Sequence, residues 1–89
     1  MPVISMFYGI IVLMYFVDVK KHKRPHIHVQ YQDEEAVFAI PDGKILEGSL
    51  PQHKIKLVSA WIEIHREDLM ADWKLAVQGA PVFKIDPLK

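Results

Sequence analysis

The sequence predicts an α+β domain, an antiparallel sheet of about four to five strands covered on one face by one long or two consecutive C-terminal helices. Three observations carry that prediction. Apolar and polar residues alternate with period two in the first half, and turn-forming Pro, Asp and Gly punctuate it. The second half switches to apolar residues recurring at spacings of three and four. Residues 1–89 make a single domain, because two halves of this length could not each bury a core.

From Val3 to Val17 the chain is almost unbroken apolar, interrupted by Ser5 and Gly9. Fifteen residues fall short of the ~20 a membrane-spanning helix needs. A secretory signal would carry positive charge before the run, whereas here Lys20, Lys21, Lys23 and Arg24 follow it. Its β-branched and aromatic residues form strands, and Gly9 divides them into about Ile4–Tyr8 and Ile10–Val17. Ile10, Val12, Met14 and Phe16 share one face of the second strand; Ile11, Leu13, Tyr15 and Val17 share the other. Both faces are apolar, so the second must be covered by this chain or by a partner.

Asp18–Pro25 reads as a basic loop. His26–Gln32 alternates strictly, with His26, His28, Gln30 and Gln32 opposite Ile27, Val29 and Tyr31. Asp33-Glu34 turns the chain into a strand over Glu35–Ile40, and Pro41-Asp42-Gly43 turns it again into Lys44–Glu47. Pro51 suits a first helical turn. Ile55, Val58, Trp61, Ile62, His65, Leu69, Trp73 and Ala76 then form a helical stripe, ended by Gly79 and Pro81. An unbroken helix would be long for this domain, so a break near His65–Asp68 is expected, with a last short strand over Val82–Ile85.

Composition excludes several classes. With 51% hydrophobic and 25% charged residues, the chain is no disordered tail. Eleven basic and eleven acidic residues cancel, so binding to nucleic acid or anionic lipid would need a local patch. Without cysteine there is no disulfide, zinc-thiolate site or cysteine nucleophile, which fits a cytoplasmic location. No Gly-rich phosphate loop, nucleophile elbow or helical His-Glu-x-x-His is present, and no cofactor is implied.

The densest polar feature is His22-Lys23-Arg24-Pro25-His26-Ile27-His28. Residues i and i+2 of a strand share a face roughly 6.5–7 Å apart, so His26 and His28 could act as a base and acid on one phosphate or chelate one metal ion. His22 could add a third group, while Lys23 and Arg24 could brace an anion. Equally, both strand histidines could occupy the solvated face of an amphipathic strand. Trp61, Trp73 and His65 lie on the helical stripe and read as core, with His65 a site candidate only if it reaches His26 and His28.

The chain resembles domain of unknown function family 4160. The matching elements include Phe7-Tyr8-Gly9-Ile10, His22 through Pro25-His26-Ile27-His28-Val29, Glu47-Gly48 with Leu50-Pro51, Trp61, His65-Arg66-Glu67, Trp73, and Ile85 with Pro87-Leu88. The family pattern His-x-Pro-Pro-His-φ-His falls on His22, Pro25, His26 and His28, with Arg24 in place of the first proline. Many members carry charge where this chain has Ile11 and Leu13, which leaves its second strand more apolar. The resemblance implies a small bacterial protein encoded beside another small protein, in an arrangement like a toxin–antitoxin pair.

Three functions are therefore expected as alternatives. One is a toxin-like component acting on RNA or another phosphate-bearing target, with His22, His26 and His28 catalytic and Lys23 and Arg24 binding substrate. Another is a non-catalytic module binding a small antitoxin-like partner or a second copy of itself. The last is a divalent-metal protein using His-x-His. No membrane association is expected.

Overall fold

The computed structural model of the chain describes residues 2–15 and 24–89. Five strands, β1 (Val3–Phe7), β2 (Ile10–Leu13), β3 (His26–Tyr31), β4 (Glu34–Ala39) and β5 (Ile45–Gly48), precede two helices, α1 (Gln52–Ile64) and α2 (Arg66–Val77). The strands form one antiparallel meander in the order β1-β2-β3-β4-β5. Each strand pairs with its chain neighbour, as short connections favour.

Register follows from the alternation. Ile10, Val12, Ile27, Val29, Ala36 and Phe38 point to one face and pack with Val58, Trp61, Ile62, Leu69 and Trp73 of the helices. The opposite face carries two cross-strand rows, one of Met6, Ile11, Gln30 and Glu35, the next of Leu13, His28, Val37 and Glu47. The β1–β2 turn uses Tyr8 and Gly9, both at positive φ (51° and 78°). Lys54 clamps that turn to α1: its Nζ donates to the Tyr8 carbonyl at 2.8 Å and lies 4.7 Å from the centre of the Tyr31 ring.

The expected helix break falls on His65. Its amide donates to the Trp61 carbonyl and its own carbonyl accepts from Leu69, so it closes α1 and opens α2. The expected strand at Val82–Ile85 does not form. That segment is irregular and is tied down singly, by Ile85 N–H to the Ile4 carbonyl (2.8 Å), Phe83 N–H to Asp72 (3.0 Å) and the Trp61 indole N–H to the Asp86 carbonyl (2.8 Å). The bulge between Val3 and Ser5 shifts the register on this edge, and an edge so shifted offers no regular ladder for a further strand. No helix among the described residues is long and apolar enough to cross a membrane.

Candidate functional site

The histidine strand is β3, and the structure brings His26 and His28 together. Their ring centroids are 5.3 Å apart with an edge-on angle of 67°. His28 sits between Leu13 and Val37 in its cross-strand row, and Tyr15 stacks on it at 4.2 Å and 12°. His26 has the Trp73 indole 5.1 Å away, so it links the outer row to a residue of the helical layer. Both rings are buried, His26 at 0% exposure and His28 at 6%. The strand face that alternation would leave solvated is thus closed at this end of the sheet, where Tyr15 stacks on His28 and Trp73 of the helical layer lies beside His26.

The tautomer of His26 follows from its partner. Nδ1 lies 2.8 Å from the Arg24 carbonyl oxygen, and a carbonyl only accepts. Nδ1 therefore carries the hydrogen, and in the neutral ring Nε2 is the basic nitrogen. The same strand end is pinned by the Ile40 amide donating to the Pro25 carbonyl at 3.0 Å.

Arg24 is exposed and its guanidinium pairs with Asp42 at 2.9 Å, instead of projecting toward an incoming anion. Asp42 also accepts the Lys44 amide at 3.2 Å. That amide, joined by the Arg24 charge and hydrogen bond, holds the Asp42 carboxyl below the usual carboxylate value against the opposing effect of desolvation. His22 and Lys23 lie outside the described residues, as does most of the basic loop. His65 is half-buried beside Trp61 (5.6 Å between rings) and Asp68 (3.7 Å), on the helices. His53 is exposed. Among the described residues, no three His, Asp or Glu side chains are grouped so that they could hold a metal ion.

Two features of the site escape a motif search. Tyr15 as the cover of His28 was available from the sequence, since it continues the outer-face alternation of Ile11 and Leu13. Asp42 as the partner of Arg24 was not, because eighteen residues and two strands separate them.

A family model described as Domain of unknown function (DUF4160) matches residues 9–74, from the β1–β2 turn through Lys74 and including the whole His22–His28 motif. The chain belongs to that family. No match was found among curated proteins or among solved structures. The matched span of this DUF4160 domain contains His26, His28, Tyr15 and Trp73, so the buried ring cluster lies wholly inside the family's own region.

Proposed function

We propose that this domain is a non-catalytic binding module that associates with a small partner protein. The reading is carried by the burial of His26 and His28. Rings enclosed by Tyr15, Trp73, Leu13 and Val37 serve packing and strand-end anchoring, and neither presents enough surface to contact a phosphodiester. Some large apolar side chains do face solvent: Met6 and Tyr8 on the β1–β2 hairpin are 62% and 55% exposed, and Phe83 is 72% exposed. Met6 and Tyr8, neighbours on one hairpin, offer an apolar patch suited to association.

The test is expression of the chain alone and together with a small protein encoded beside it, the neighbour that the family resemblance implies. The binding reading expects no growth inhibition from the chain alone and a complex that survives size-exclusion chromatography. Inhibition by the chain alone, lost in a folded His26→Ala/His28→Ala variant, overturns it.

That same outcome would establish a second reading, a toxin-like component acting on RNA or another phosphate-bearing target. The observation favouring it is the hydrogen-bonded tautomer of His26, whose basic Nε2 belongs to a ring 5.3 Å from His28. A base and an acid at that separation could serve the two oxygens of a phosphoryl transfer, with Arg24 and, from the basic loop, His22 and Lys23 as auxiliary groups.

A further inference from the structure

We propose that the cleft between α2 and the C-terminal segment receives an arginine side chain of the partner protein, its guanidinium binding Asp72 and stacking on Phe83. This rests on the binding-module reading and names the chemistry of the partner. The cleft has a volume of about 360 Å³, and its lining includes His65, Asp68, Asp72, Phe83, Lys84 and Asp86.

Asp72 is the reason to look here. It is 3% exposed, and one carboxylate oxygen accepts the Phe83 amide at 3.0 Å. The other, Oδ2, is buried with no hydrogen-bond partner. Buried polar atoms in folded proteins are almost always paired, so an orphaned carboxylate oxygen on a residue that lines a cleft calls for a donor from outside. Burial pushes the Asp72 carboxyl up, the Phe83 amide opposes that, and the charge of Asp68 one turn earlier adds to it. A cation seated against Oδ2 would oppose both raising effects by favouring the ionised carboxylate.

The lining selects the kind of cation. Three carboxylates against the single ammonium of Lys84 exclude an anion. No metal-ligating group of three forms among the described residues. Phe83 offers a ring that is 72% exposed and lines the same cleft, and guanidinium differs from ammonium in being planar, weakly hydrated and suited to lie on an aromatic face while its edge forks onto carboxylate. An adjoining groove of about 590 Å³ shares Asp72 and Phe83 and runs along α2 past Met70 and Leu75. That apolar continuation fits the chain on either side of an arginine in a protein, rather than a free amino acid.

The experiment is an amide NMR titration of the full chain with N-acetyl-arginine methylamide, and in parallel with the lysine analogue. The expected result is a saturable shift of the Phe83 amide by the arginine probe, with the lysine probe weaker. Asp72→Asn keeps an amide oxygen for Phe83 N–H and should weaken binding about tenfold or more. Phe83→Ala alters an exposed side chain and should weaken it as well. Absence of a saturable shift, or wild-type affinity in either folded variant, overturns the proposal. Co-purification of a partner despite such a failure would leave the binding-module reading standing; arginine binding without any partner would do the reverse.

Discussion

The ring of His28 lies almost parallel to that of Tyr15, 4.2 Å between centroids, and this stack covers a face that alternation alone would leave in water. Stacked ring pairs contribute about 0.5–1.5 kcal/mol beyond the area they bury. Tyr15→Leu, which keeps apolar bulk but loses the stack, should destabilise the domain by that amount. A melting temperature lowered by about 4–8 °C per kcal/mol would register it. An unchanged melting temperature would mean that the stack contributes nothing.

Asp72 makes stability depend on pH in a predictable direction. Its carboxyl is raised in the folded state, chiefly by burial, so the folded chain binds the proton more tightly than the unfolded one. The associated stability is fully present below the unfolded carboxylate value of about 3.9 and is lost as pH rises through the higher folded value. Asp72→Asn carries no ionisable group and keeps the acceptor for Phe83. Urea denaturation at pH 4 and pH 7 should therefore show the variant gaining on the wild type as pH rises.

Asp42 has the opposite sign. Its folded value is lowered, first by the Lys44 amide and then by Arg24, so its contribution is present above about pH 3.9 and fades as pH falls through the folded value. Asp42→Asn should flatten the acid limb of the stability curve. Arg24→Ala breaks an exposed pair and should leave the melting temperature at pH 7 nearly unchanged.

Two glycines separate conformational strain from steric exclusion. Gly48 and Gly79 share a φ of 75°, where a side chain is disfavoured. Around Gly79 there is open space, so Gly79→Ala should cost about 1 kcal/mol. At Gly48 an added Cβ would meet the Glu35 carbonyl oxygen and lie 3.0 Å from the Ala36 Cα, both backbone atoms of the paired strand. Gly48→Ala should therefore cost distinctly more, by about 2 kcal/mol or above. Equal losses in chemical denaturation would contradict this account of the β4–β5 pairing.

Trp61 is fully buried, lies 5.4 Å from the Phe7 ring and donates its indole N–H to the Asp86 carbonyl. Trp61→Ala should cost about 3–5 kcal/mol. Trp61→Phe keeps most of the packing but loses the tie to the C-terminal segment, so hydrogen exchange of the Phe83 and Ile85 amides should accelerate more than that of β3.

Period-two alternation and the later helical spacing determined where strands give way to helices and which residues share each face of β2 and β3. Those are local properties, because which residues share a face depends only on spacing along the chain. What covers a face is decided elsewhere. Trp73 reaches His26 from 47 positions away, Asp42 takes the Arg24 guanidinium, and Asp72 holds the segment expected to be a strand. Spacing makes no distinction between a histidine open to substrate and one sealed by an indole, and only the packing of the two layers separated them.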